Sequence, residues 1–261
     1  MNRHSSSVKL SGLFSLCLRV LTTLCLCAVF LQAQSGGIVT QDEKAKEALN
    51  AAIKGLGGAD RIGSINSLVF KGTETFFIQG NQTPSRDFEI RILLPDSIVQ
   101  INNVASGMQT AVGFSREKRL PAITVPDEAT LNAIVNEMKN EWAYVLIGML
   151  AKGGPMPLTL SSGSTPGALT VTTKTGMAGE MEFDVKNLYP SVVRYRNTRL
   201  KNDYEIKFQN RFSVNGIMFP KIITFTDPMA ERVLSIDDVQ INPELNLKDF
   251  EQFSAGPKPK M

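Results

Sequence analysis

Apolar and polar residues alternate through "YEIKFQNRFSVNGIMFPKIITF", residues 204–225, on both sides of Asn215-Gly216. That pattern predicts two antiparallel strands joined by a two-residue turn. Folding about the turn pairs Val214 with Ile217, Phe212 with Phe219, Asn210 with Lys221, Phe208 with Ile223 and Ile206 with Phe225, all on one face. The other face takes Glu205, Lys207, Gln209, Arg211, Ser213 and Thr224. The hairpin thus has a dry side and a wet side, as in an antiparallel sheet solvated on one face. Pro220 lacks an amide hydrogen, which predicts an edge or irregular pairing position there.

Similar short runs predict strands at 67–80, 85–94, 96–104, 157–163, 168–175, 179–187, 190–199 and 232–242. One more, 107–120, leads into a basic loop with Arg116, Lys118 and Arg119, readable as an anion contact or a solvated face. The total is about eleven strands, linked by Gly, Pro and Asn turns. Without βαβ alternation, the sheet should be antiparallel.

Two segments change period. Thr40-Gln41-Asp42-Glu43 has capping-box spacing ahead of Ala45, Ala48, Leu49, Ala52, Ile53 and Leu56, with Gly57-Gly58 as the stop. This helix reads as packed on a core or as a movable lid. After Pro126-Asp127-Glu128, apolar residues recur at spacings of three and four from Leu131 and Ile134 through Met138, Trp142, Val145 and Met149 to Leu150, stopped by Gly153-Gly154-Pro155. Trp142, Met138 and Met149 share its apolar stripe; they suit core packing, and methionine also suits a surface that accommodates variable apolar ligands. A short amphipathic turn with Leu245, Leu247, Phe250 and Phe253 follows the last strand.

Composition narrows the function more than the fold. Of 261 residues, 43% are hydrophobic and 20% charged, ordinary globular values. Residues 1–33 read as a signal peptide: Arg3, Lys9 and Arg19 precede the apolar run Val20 to Leu31, and small and polar residues follow from Gln32 to Gly36. The run is shorter than the roughly 20 residues needed to span a bilayer. Residues 34–41 read as a flexible leader, 42–253 as one domain and 254–261 as a disordered tail.

Removing the signal also removes Cys17, Cys25, Cys27 and His4, which are all the cysteines and histidines of the chain. The mature protein therefore has no disulfide, no thiolate nucleophile, no Cys or His metal ligand and no Ser-His or Cys-His pair. No cofactor is expected. The 28 basic residues fall to 25 against 25 acidic ones, so nucleic acid is a poor candidate partner. Walker-type, dinucleotide and Gly-x-Ser-x-Gly motifs are missing. Asp237-Asp238 is the most conspicuous acidic pair, but strand neighbours point to opposite faces, which argues against an acid-base dyad.

A sheet with one dry face must close on itself, pack on helices, or hold a ligand between the two. Here the order of elements resembles the outer-membrane lipoprotein carriers (the LolA/LolB-like superfamily). The resemblance is carried by "ALNAAIKGLGGADRIGSINSLVFKGT" (48–73), "FEIRILLPDSIVQIN" (88–102) and the hairpin at 204–225. It implies an α+β fold: a single antiparallel sheet curved into an incomplete β-barrel, its concave face covered by two or three helices. It also implies a pocket shielding acyl chains, walled by Ile206, Phe208, Phe212, Phe219, Ile223 and Phe225 and covered by helices bearing Met138, Trp142 and Met149. Carriers often have an arginine shortly after the strand-turn proline, helping to hold the lid; here Asp96-Ser97-Ile98-Val99-Gln100 follows Pro95.

The expectation is a non-enzymatic periplasmic or secreted protein that binds an apolar ligand, such as a lipid or the acyl chain of a lipoprotein, with no membrane span in the mature chain. The alternative is a cell-envelope structural or protein-interaction module with a filled core, for which an envelope protein is the candidate partner.

Overall fold

The computed structural model describes residues 38–103, 109–116, 118–120, 128–150, 152, 158–165, 167–173, 176–184, 186–197 and 201–251. Residues 1–33, read as a signal peptide, the Gly153-Gly154-Pro155 stop and the tail at 254–261 lie outside the described residues. The strands are β1 (Ile38–Thr40), β2 (Ser67–Ile78), β3 (Asn81–Gln82), β4 (Arg86–Leu93), β5 (Ser97–Asn103), β6 (Gln109–Ser115), β7 (Lys118–Leu120), β8 (Leu158–Ser162), β9 (Leu169–Thr173), β10 (Ala178–Phe183), β11 (Pro190–Asn197), β12 (Asn202–Val214), β13 (Ile217–Thr226) and β14 (Ala230–Ile241). The helices are α1 (Glu43–Gly55), α2 (Ala59–Gly63), α3 (Glu128–Leu150) and α4 (Lys248–Glu251).

All fourteen strands form one sheet in the order β1-β8-β9-β10-β11-β12-β13-β14-β2-β4-β5-β6-β7, with β3 beside β2. β1 and β7 end the path, so the sheet is open rather than a closed barrel. Two expectations need correction. Among the described residues the strands number fourteen rather than about eleven, because β1, β3 and β7 are too short to show a period. The sheet is mixed rather than antiparallel, because β1 pairs in parallel with β8, Ile38 opposite Leu158 and Thr40 opposite Leu160. Residues 38–40, read as leader, are thus an edge strand, and the basic residues Lys118 and Arg119 belong to β7.

The β12–β13 hairpin has the register that alternation predicts, from Val214–Ile217 to Ile206–Phe225. Asn215 and Gly216 both take positive φ, as the tight turn requires. Asn210 and Lys221 do not pair: Asn210 has φ of 50°, and the ladder passes from Gln209–Ile222 to Arg211–Pro220. The proline without a donor sits at this irregularity. Another irregularity falls between Ile236 and Asp238 in β14. It leaves both Asp237 and Asp238 on the exposed surface, where they form no dyad.

The sheet coils about α3. Every residue from Trp142 to Leu150 is buried, as in a helix that is apolar all round. Gly148 makes the close approach possible, since a Cβ there would lie 2.4 Å from the Phe208 ring. Lys152 anchors the C-terminal end of α3 by donating to the Gly63 and Ile65 carbonyls at 3.2 and 2.5 Å.

α1 closes the end of the sheet nearest the β12–β13 turn and is fastened at both ends. Its cap is Asp42 rather than Thr40: one carboxylate oxygen accepts from the Ala45 amide at 2.8 Å and the Ser162 hydroxyl at 2.6 Å, the other from the Ser162 amide at 2.8 Å. At its far end the Leu56 carbonyl accepts from the Met218 amide at 3.0 Å. On the outer face, Phe250 of α4 and Leu245 cover Val99, Ile101, Ala111 and Leu120 in a second, smaller core.

Candidate ligand-binding site

Strand parity sends every second residue toward α3. Toward the β12–β13 turn these inward positions are aliphatic and aromatic: Ile206, Phe208, Phe219 and Ile223 are buried, with Phe219 edge-on to Phe70 at 5.9 Å. At the opposite end, the mouth, the same parity delivers polar groups. Arg232 of β14 lies between Phe225 and Phe76 in register, and its guanidinium sits 4.0 Å from the Phe225 ring centre. On the adjacent strand β2, Glu74 is only 1% exposed. It accepts from Arg86 at 2.6 Å and from Gln100 at 2.9 Å.

The N-terminal half of α3 faces this polar end. Glu141 accepts from Arg232 at 3.0 Å, tying helix to sheet. Burial pushes the Glu141 carboxyl above its ordinary value, the Arg232 charge opposes that rise, and neighbouring Glu137 adds to it. Glu137 accepts from Asn197 at 3.2 Å and from the Tyr204 hydroxyl, whose pKa is pushed up to about 12, mainly by desolvation. Tyr204 belongs to a stack: its ring lies 5.3 Å from Tyr195, which lies 4.9 Å from Tyr144 of α3. The buried Tyr195 hydroxyl has no hydrogen-bond partner.

Two clefts flank the Glu141–Arg232 pair. One, of about 190 Å³, lies between Gln100, Glu137, Met138 and Trp142. The other, of about 130 Å³, lies between Phe76, Tyr204, Phe225 and Asp227. A larger depression, about 740 Å³, is elsewhere. Thr170, Glu180, Arg194, Glu205 and Thr226 in its lining are successive register partners. They have the parity opposite to the stacked Tyr195 and Tyr204, so this is a charged groove on the outer face. Among the described residues, no group of acidic, His or Cys side chains is placed to hold a metal ion.

The nine residues singled out by sequence fall into two sets. Met138, Trp142 and Phe225 border the clefts. Ile206, Phe208, Phe219, Ile223 and Met149 lie in the continuous core, with half-buried Phe212 packed against it. Sequence reasoning passed over Glu141, Arg232, Gln100, Glu74, Glu137 and Tyr204. A signal for several was present: Arg232 shares parity with Leu234 and Ile236, Glu74 with Phe70 and Phe76, and Gln100 with Ile98, so each is a polar residue on a dry face.

An open sheet coiled around one long helix, with a hydrophobic interior and a polar mouth, is a half-barrel. Among solved structures, a LolA superfamily protein from Nitrosomonas europaea superposes with a TM-score of 0.51 at 13% identity, over 79% of this chain and 96% of that one. A domain from Vibrio parahaemolyticus described as an outer membrane lipoprotein-sorting protein gives 0.49 at 10% identity, over 80% and 97%. No protein-family model matches the chain, and no curated protein matches it in sequence. The chain therefore has distant structural similarity to the LolA-superfamily fold, and the statement concerns the fold alone.

Proposed function

We propose that this chain is an exported, non-enzymatic binding protein, periplasmic or secreted, that holds an apolar ligand such as a lipid or acyl chain between the concave sheet and α3. The observation that carries the reading is the pair of clefts leading from a polar mouth past Trp142, Met138 and Phe225 toward an uninterrupted apolar core. Each cleft is smaller than the roughly 300 Å³ at which ligand pockets begin. Binding therefore requires the N-terminal half of α3 to lift from the sheet, and the Glu141–Arg232 pair stands where a lid contact would be. None of the helices among the described residues is long and apolar enough to cross a membrane.

Lipid extraction and mass spectrometry of protein purified from its native membrane-containing host test the reading. A recurrent apolar species in stoichiometric amount is expected; repeated recovery of ligand-free protein counts against it. A second reading, an envelope interaction module with a filled core, is favoured by the tight burial of Ile206, Phe208, Phe219, Ile223 and Met149. It predicts a stoichiometric protein partner whose capture is abolished by changes on the wet face, for example at Arg194 or Lys207, but not by changes inside the clefts.

A further inference from the structure

The 190 Å³ cleft is asymmetric in what it offers a ligand. Gln100 is buried, and both hydrogens of its amide are taken, one by Glu74 at 2.9 Å and one by Asn102 at 3.1 Å. The reverse amide orientation would set oxygen against oxygen at the Glu74 carboxylate, which leaves the Gln100 carbonyl oxygen for the cleft it borders. Glu137 and Glu141, one helical turn apart on α3, add two carboxylates. The single cation in the lining, Arg232, is paired with Glu141 through one terminal nitrogen and lies over the Phe225 ring, and its buried Nε has no partner among the described residues. The lining thus carries two acidic groups against one basic group, which is already paired with one of them. The remaining walls are apolar, with Trp142, Met138, Val112 and Ile134 around the polar groups.

The geometry points to a ligand with a protonated amine at the end of an apolar chain, the ammonium seated among Gln100, Glu137 and Glu141 beside Trp142. This rests on the apolar-ligand reading above and names the head group. A carboxylate or phosphate in the same place would face two carboxylates and a carbonyl oxygen, against one guanidinium already paired with Glu141. An ammonium supplies three donors to those acceptors, restores the charge balance, and can lie against the indole face.

The test compares dodecylammonium, dodecanol and dodecanoate at neutral pH, with binding read from the fluorescence of Trp142, the sole tryptophan, and confirmed by calorimetry. Dodecylammonium should bind about tenfold more tightly than dodecanol, the size of one charge-assisted hydrogen bond, and dodecanoate more weakly than both. Glu137→Gln should lower amine affinity by about the same factor and narrow the preference for dodecylammonium over dodecanol. Equal or tighter binding of dodecanol or dodecanoate overturns the amine assignment alone, as does an amine preference untouched in Glu137→Gln. Failure of all three probes to bind overturns both this assignment and the apolar-ligand reading. Nα-acetyl-lysine amide carries the same ammonium on a short stem; binding as tight as that of dodecylammonium would overturn the lipid-like chain in favour of a lysine side chain.

Discussion

The two halves of α3 obey different rules. From Trp142 to Leu150 every residue is buried, the sheet passes close enough to require Gly148, and the C-terminal end is anchored through Lys152. From Glu128 to Glu141 the helix is amphipathic: Val135 and Met138 face inward, whereas Ile134 is 40% exposed. This half contacts the sheet through clefts and an ion pair rather than continuous packing. One helix is therefore an axle at one end and a cover at the other. Where the helix has no wet side it has no freedom to move without unfolding the core.

The sharpest way to break this contrast is a charge on each half. Phe208→Asp places a carboxylate beneath Gly148 and should cost about 4 kcal/mol or more, enough to abolish cooperative folding. Ile134→Asp, at a partly exposed position over the mouth, should change stability by no more than about 0.5 kcal/mol. Urea denaturation measures both, and similar losses would end the distinction.

Smaller effects belong to the ion pair. Arg232→Met leaves Glu141 buried without its cation and should cost about 2 kcal/mol, whereas Arg232→Met with Glu141→Gln should return to within about 1 kcal/mol of the parent. A double variant as unstable as Arg232→Met alone would show that Arg232 acts through its packing on Phe225 instead.

The smallest predicted effect is in pH dependence, and here the two ends of the molecule have opposite signs. The Glu141 carboxyl is held above its ordinary 4.5, chiefly by burial. Its contribution is fully present below that value and lost as pH rises through the raised one. Asp42, the α1 cap, is held below its ordinary 3.8, chiefly by the Ser162 hydroxyl. Its contribution is present above 3.8 and lost as pH falls through the lowered value. Denaturation midpoints across the acid range should thus lose their high-pH decline in Glu141→Gln and part of their low-pH decline in Asp42→Asn. A decline unchanged in Glu141→Gln would place that carboxylate in a wetter setting than the fold implies.

Much of the fold was legible because its determinants are local. Alternation over five or more residues identified eleven of the strands, Asn215-Gly216 set the hairpin register, and the three-and-four spacing after Pro126 located α3. The misses are equally physical. β3 and β7 are two and three residues long, too short for a period, and β1 pairs in parallel with a strand more than a hundred residues away. The Asn210–Lys221 pair failed because continuing the ladder past a proline without an N–H requires a local break that parity does not reveal.

The site was less legible than the fold. Parity put Arg232, Glu74 and Gln100 on a dry face, yet it assigns a side and not a neighbour. That Arg232 meets Glu141 depends on which turn of α3 lies over β14, and that Gln100 offers an oxygen depends on Glu74 and Asn102 holding its amide.

By itself the sequence determined the types of the longer elements, the dry face of the longer strands and the lack of thiol and imidazole chemistry beyond residue 27, since all of these follow from covalent composition and near-neighbour periodicity. The tertiary structure alone decided that the sheet is open and mixed, that the aromatic wall of the hairpin is mostly core, and that the polar residues of four strands and one helix converge at the mouth. Such convergence depends on strand order and coiling, which arise when distant segments bury their apolar faces together and leave no trace in any single segment.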